Sequence, residues 1–136
     1  MPFNSDVTFL IVENDPASLE ICRNIISMRF PKAVVHIASN TAEAVYKHKY
    51  HKHDIILTDL FSPKQEGIVI AREICEANPK SVVIFITADT DAHWDTLKHK
   101  ANRLCLKGII HKPIDINEVI DKITDAINII GKRSEK

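Results

Sequence analysis

Short apolar runs rich in β-branched and aromatic residues recur five times along this chain, each followed by a segment with helical patterning. The runs are Thr8-Phe9-Leu10-Ile11-Val12, Ala33-Val34-Val35-His36-Ile37, Asp54-Ile55-Ile56-Leu57-Thr58-Asp59, Ser81-Val82-Val83-Ile84-Phe85-Ile86 and Gly108-Ile109-Ile110-His111. Apolar runs of this length, bounded by turn signals, read as strands buried on both faces. Strands alternating with helices predict a doubly wound, parallel α/β sheet with right-handed crossovers.

The helical segments carry their own start and stop signals. Asp15 is a good N-cap and Pro16 suits the first helical position, so a helix is expected over 16–29, with Pro31 beyond its end. Asn40 or Ser39 can cap a second helix over about 41–50. Its end carries Lys47, His48, Lys49, His51, Lys52 and His53, where cations favour the C-terminal end of the dipole. That cluster reads as a solvated helix end rather than a metal or phosphate patch. Glu66-Gly67 starts a third helix and Asn78-Pro79 stops it. Residues 91–103 predict a fourth, with a thin apolar face of Trp94, Leu97 and Ala101. Asp115 with Glu118 reads as a capping-box-like pair opening a strongly amphipathic fifth helix, which Gly131 is expected to stop.

At 136 residues the chain is expected to form one domain, with a core over about 6–130 and a polar tail over 131–136. Eighteen Lys and Arg balance 18 Asp and Glu. That balance argues against general binding to nucleic acid or to a membrane surface, and no direct contact with either is expected. No apolar run approaches the ~20 residues of a membrane helix. The first residues lack a basic segment followed by a long apolar stretch, so no signal peptide is expected. Cys22, Cys75 and Cys105 are odd in number, form no C-x-x-C pair and lie in apolar contexts. They read as free, buried thiols in a reducing cytoplasm.

Polar residues gather at the carboxyl ends of the strands. Glu13 and Asn14 follow the first, Asp59 ends the third, Thr87 the fourth, and Lys112 follows the fifth. In an open parallel sheet, ligands bind outside that edge. Asp59 alone could equally be a helix cap or a solvated loop acid; its alignment with the others favours a site. Acids with one lysine and one hydroxyl suit phosphoryl transfer. Mg²⁺ takes carboxylate oxygens, a carboxylate can itself carry a phosphoryl group, and lysine and a hydroxyl can hold its charged oxygens.

Four segments, in this order and spacing, resemble the receiver domain of bacterial two-component response regulators, of the chemotaxis-regulator kind. They are Phe9-Leu10-Ile11-Val12-Glu13-Asn14-Asp15-Pro16; Ile56-Leu57-Thr58-Asp59 with Pro63 and Gly67; Ile84-Phe85-Ile86-Thr87-Ala88; and Lys112-Pro113. The resemblance covers essentially residues 6–130. It implies a flavodoxin-like, five-stranded parallel sheet of order 2-1-3-4-5 with five helices. It also implies that Asp59 is the phosphoacceptor, taking its phosphoryl group from a phosphohistidine of a sensor histidine kinase or phosphotransfer protein. Mg²⁺ would be held by Glu13, Asn14, the Asp59 carboxylate and the Phe61 backbone carbonyl. Thr87, Ala88 and Lys112 would surround the phosphoryl group, and the Lys112–Pro113 bond would be cis. Thr87 and position 109 would form the switch. Such a protein is not an enzyme but a cytoplasmic phosphoacceptor that assists its own phosphorylation and dephosphorylation. It signals to a downstream output protein or domain, and homodimerisation is left open.

The sequence departs from the family pattern at three places. Asn14 replaces a second acid, Ile109 stands where a switch aromatic usually sits, and the segment from Thr87 to Lys112 is a few residues longer than expected. Asn14 and Ile109 favour an alternative: a pseudo-receiver of the same fold, never phosphorylated, acting as a protein-interaction module. Intact Asp59, Thr87 and Lys112 oppose it. A metal-dependent phosphohydrolase needs a second acid where Phe61 stands, and a flavin or nucleotide site favours a glycine- or hydroxyl-rich loop after the first strand. His111 beside Lys112 is directed away from its neighbour by strand alternation.

Overall fold

The computed structural model describes residues 7–61, 66–88, 95–96, 99 and 105–134, apart from the side chains of 132–134. In chain order the elements are β1 (Thr8–Val12), α1 (Pro16–Arg29), β2 (Val34–Ala38), α2 (Thr41–His51), β3 (Ile55–Asp59), α3 (Glu66–Ala77), β4 (Val82–Thr87), β5 (Leu106–His111) and α4 (Ile116–Ser134). All strand pairs are parallel, and the sheet order is β2-β1-β3-β4-β5. The doubly wound sheet is therefore the one the resemblance implies. The helix expected over 91–103, with Trp94, Leu97 and Ala101, lies largely outside the described residues; 95, 96 and 99 are helical.

The two faces of the sheet follow from the two-residue period of a strand. Phe9, Ile11, Ile55, Leu57, Ile84 and Ile86 pack with Cys22 and Ile26 of α1 and with Val119, Ile123 and Ile127 of α4. The alternate residues Leu10, Val12, Ile56, Val83 and Phe85 pack with Ala44 of α2 and with Ile70, Ala71 and Ile74 of α3. Each isoleucine or leucine so buried is worth roughly 1.5–3 kcal/mol. Burial on both faces explains why the strands are nearly unbroken apolar runs.

Local signals set several boundaries as expected. Asp15 caps α1 through Ser18, and Pro16 opens it. Asn40, not Ser39, caps α2: its Oδ1 accepts from the Glu43 N–H at 2.9 Å.

Other expectations are corrected. Strand β5 begins at Leu106 rather than Gly108. A register shift pairs Val83 with Leu106 but Ile84 with Gly108, so Lys107 is an extra residue that breaks the period. Helix α4 runs through Gly131 to Ser134. Glycine stops a helix where a left-handed cap forms, and no described glycine has positive φ. Glu118 does not complete a capping box. It turns back to His111, accepting from its backbone N–H and lying against its Nδ1, both at 2.8 Å. Asp115 Oδ1 accepts from the Asn117 N–H instead.

The cysteine reading changes too. Cys75 near the end of α3 and Cys105 just before β5 are joined as a disulfide, with Cα atoms 5.7 Å apart. The fold, not their spacing in sequence, brings them together. Cys22 is free and buried, and burial pushes its thiol up to about 11. The cationic end of α2 is solvated only in part: Lys49, His51 and Lys52 are exposed, but two of its histidines are not. Lys52 adopts φ 48, a left-handed cap that turns the chain inward, and His48 and His53 are buried.

Candidate functional site

The carboxyl edge of the sheet gathers its polar residues through backbone pairing that outlasts the strands. Beyond β1, the Glu13 N–H still donates to the Ala38 carbonyl at 3.0 Å, and the Glu13 side chain turns inward, fully buried. Its Oε2 accepts from the Asp15 N–H at 3.1 Å. Asp15 is occupied elsewhere: its Oδ2 accepts from the Ser18 hydroxyl at 2.7 Å, which holds the carboxyl below its ordinary value. Asn14 between them is exposed.

Asp59 closes β3, beside Ile86 of β4. One carboxylate oxygen, Oδ1, accepts from the Phe61 N–H at 2.6 Å, and the other, Oδ2, accepts from Lys112 Nζ at 2.7 Å. The Phe61 contact closes a tight turn, and Phe61 adopts φ 57, a left-handed conformation rare for a bulky residue. Helix α3 starts hard against this turn. The Gly67 N–H donates to the Leu60 carbonyl at 3.0 Å, and a Cβ at position 67 would lie 2.4 Å from the Asp59 carbonyl oxygen. Only glycine fits that approach. The residue matched the family pattern, but nothing in the sequence says that it touches the Asp59 backbone.

Lys112 reaches the cluster from beyond β5. Its N–H donates to the Thr87 carbonyl at 2.8 Å, its bond to Pro113 is cis as the resemblance implies, and its ammonium also lies 3.0 Å from Glu13 Oε1. Burial pulls Lys112 down, but hydrogen bonds and charge from Asp59 and Glu13 outweigh it, and the net shift is upward. Burial pushes Glu13 up, against the pull of Lys112 and the Asp15 N–H. Two carboxylates against one ammonium leave a surplus negative charge. Glu13 Oε1, although near Lys112, is buried and accepts no well-angled hydrogen bond.

The structure thus brings Glu13, Asp59 and Lys112 into contact and sets the buried Thr87 against the Lys112 backbone. Ala88 is exposed beside Thr87. Phe61 packs partly on the α2/α3 side, and Ile109 is buried in that same layer. Among the described residues, no group of three or more His, Cys, Asp and Glu side chains is placed to hold a metal ion by itself.

A flavodoxin-like sheet with two carboxylates and one lysine at its carboxyl edge is the receiver architecture of two-component signalling. The family model of the response regulator receiver domain matches residues 9–124, and the chain belongs to this family. The chain is 34% identical over 109 residues to the transcriptional regulatory protein CitB of Klebsiella pneumoniae, covering 79% of this chain and 45% of CitB. It is 25% identical over 119 residues to the chemotaxis protein CheY of Bacillus subtilis, covering 88% of this chain and 97% of CheY. The crystal structure of a CheY-like receiver domain from Methanospirillum hungatei JF-1 superposes with a TM-score of 0.80 at 22% identity, covering 95% of this chain and 99% of that one. The chain thus spans under half the length of CitB.

Proposed function

We propose that this receiver accepts a phosphoryl group on Asp59 from a phosphohistidine of a sensor histidine kinase or phosphotransfer protein. The phosphorylated form then changes its binding to a downstream output protein or domain. The observation that carries this reading is the Asp59 carboxylate at the sheet edge, held by Lys112 beside Glu13.

The chemistry follows from those positions. An Asp59 oxygen forms the bond to phosphorus as the P–N bond to the donor imidazole breaks, and the nitrogen leaves with the electron pair. The Phe61 N–H and Lys112 fix the carboxylate before attack. Lys112 can then follow the incoming negative charge, and the Thr87 hydroxyl can donate to a phosphoryl oxygen. The exposed Ala88 adds no bulk beside them.

The donor set suits Mg²⁺: Glu13, Asp59, the Phe61 carbonyl and the Asn14 side-chain oxygen, with water completing the shell. The buried Glu13 Oε1, with only the Lys112 ammonium beside it, fits a hard cation. When bound, Mg²⁺ neutralises charge on the phosphoryl oxygens. In this reading the protein is a phosphoacceptor that assists its own phosphorylation and dephosphorylation rather than turning over a metabolite. Among the described residues, no helix is long and apolar enough to cross a membrane.

Incubation with acetyl phosphate and Mg²⁺, read by intact mass, tests the proposal. One phosphoryl adduct is expected on the wild type and none on Asp59→Asn. An undiminished adduct on the variant would overturn the assignment. A wild type that takes no phosphoryl group would instead be an interaction module of the same fold.

A further inference from the structure

Helices α2 and α3 share one layer of the sheet, where Ala44 of α2 packs with Ile70, Ala71 and Ile74 of α3. Their outer faces differ in charge. On α2, Tyr46 and Tyr50 stand one turn apart, 64% and 63% exposed, with ring centroids 4.9 Å from each other. Lys49 Nζ lies 5.9 Å from the centre of the Tyr50 ring, and Lys52 follows at the helix cap. Both lysines are exposed. Glu43 is the only acid of α2, and it is engaged. Its Oε1 accepts from the Ser39 N–H at 3.0 Å, and the Lys47 ammonium lies 3.8 Å away.

On α3, Glu66, Val69, Glu73 and Glu76 follow one another at spacings of three, four and three, so they form one stripe along the helix. All four are exposed, Val69 to 47%. Arg72 is the one cation of this helix. The two faces border a single groove of about 370 Å³, lined by Val45, Lys49 and Lys52 on one side and by Glu73, Ile74 and Ala77 on the other. Among the described residues, Lys49, Lys52, Glu66, Glu73 and Glu76 form no ion pair. The opposite charges on these neighbouring helices are thus not satisfied within the chain.

We propose that the α2/α3 face is a contact between two copies of this chain. A two-fold axis standing over the groove lays α2 of each copy across α3 of the other. Both helices return from the carboxyl to the amino edge of the sheet, so the crossing pairs run antiparallel. Tyr46, Lys49, Tyr50 and Lys52 then face Val69 and the glutamates of the other copy, and each contact occurs twice. An isologous contact needs a patch that complements itself. Here a cationic, aromatic half sits beside an acidic half with an exposed apolar residue. Tyrosine suits such a contact, because its ring buries apolar area while its hydroxyl can meet a carboxylate. The apolar groove walls are covered in the same step. With zero net charge, the chain has no overall repulsion between copies.

Sedimentation velocity of the full chain, from micromolar to near-millimolar concentration, tests the proposal. The expected result is a concentration-dependent dimer that weakens as salt is raised. Lys49→Glu with Lys52→Glu, or Glu73→Lys with Glu76→Lys, should each raise the dissociation constant at least tenfold, because every reversed charge acts twice in a symmetric pair. A chain carrying all four reversals again has opposite charges across the contact and should recover the dimer. A contact of α2 with α2 would not recover. Should a charge variant fail to fold, Tyr50→Ser at an exposed position serves in its place and should also weaken the dimer at least tenfold. A wild type that stays monomeric throughout, a dimer indifferent to these substitutions, or a quadruple variant no tighter than the double ones would overturn the proposal.

Discussion

The ammonium of Lys112 sits 2.7 Å from the carboxylate of Asp59 and is shared with Glu13 at 3.0 Å. The Lys112 and Asp59 side chains are 18% and 14% exposed, so solvent screens the contact. Lys112→Met leaves the fully buried Glu13 without its counter-charge, so it should cost about 1–3 kcal/mol, and it should slow phosphoryl uptake at least tenfold. The shift also fixes the sign with pH. Lys112 is raised above 10.5 in the folded state. Its contribution is full below that value and fades as pH rises through the folded one. Urea midpoints of wild type and variant should differ at neutral pH and converge in strong alkali.

Gly67→Ala tests the contact beneath the phosphoacceptor. The added carbon would lie 2.4 Å from the Asp59 carbonyl oxygen and 2.9 Å from Leu60 Cα, both backbone atoms. The turn must move, at a cost of about 1–3 kcal/mol. Phosphoryl uptake should fall even under conditions where the variant is fully folded. A variant with wild-type uptake would show that the position of this turn does not matter to the chemistry.

The buried histidines predict acid sensitivity. His53 is lowered from 6.5 to about 3, first by burial and then by His36 and His48. A depressed value means that the unfolded chain binds the proton more readily. The stability is present above 6.5 and is lost as pH falls from there toward 3. The slope approaches about 1.4 kcal/mol per pH unit for this one group. Urea midpoints measured from neutral to mildly acidic pH should fall more steeply for wild type than for His53→Gln.

Asn14→Asp should tighten Mg²⁺ binding by roughly tenfold or more. A unit charge pair at ~4 Å is worth about 4 kcal/mol at an effective dielectric of 20, and a hydrated site realises only part of it. Asp15 does not supply the missing charge, because its carboxylate is bound to Ser18. Calorimetric titration of both proteins checks this; equal affinities would remove Asn14 from the metal site.

Reduction of the disulfide should destabilise the fold. Its residues are 30 apart, and closing a loop of that length lowers the entropy of the unfolded chain by about 3–4 kcal/mol at room temperature. Urea unfolding with and without a thiol reductant measures the difference, and Cys75→Ser should reproduce the reduced value.

Sheet class and edge were legible because they depend on periodicity and on where polar residues interrupt it. Glu13, Asp59 and Lys112 each stand just after or at the end of an apolar run, and they meet in space. Strand order came from the resemblance, because spacing alone does not choose among parallel orders. What was missed depends on contacts between distant segments. Lys107 hid two residues of β5 because a bulge breaks the two-residue period. The chain past α2 looked solvated because its composition is cationic, yet a left-handed Lys52 carries His53 into the interior. Glu118 had a plausible cap nearby in sequence, but His111 offered it both a backbone donor and a ring nitrogen.

The bond between Cys75 and Cys105 also makes the intervening chain, with β4 and Thr87 inside it, a covalent ring. A protease that cuts one peptide bond within the ring releases no fragment. The nicked protein keeps its mass, apart from one added water, and migrates as two pieces only after reduction. Limited proteolysis of this segment therefore has to be read on reducing gels, where cuts that leave the oxidised protein in one piece become visible.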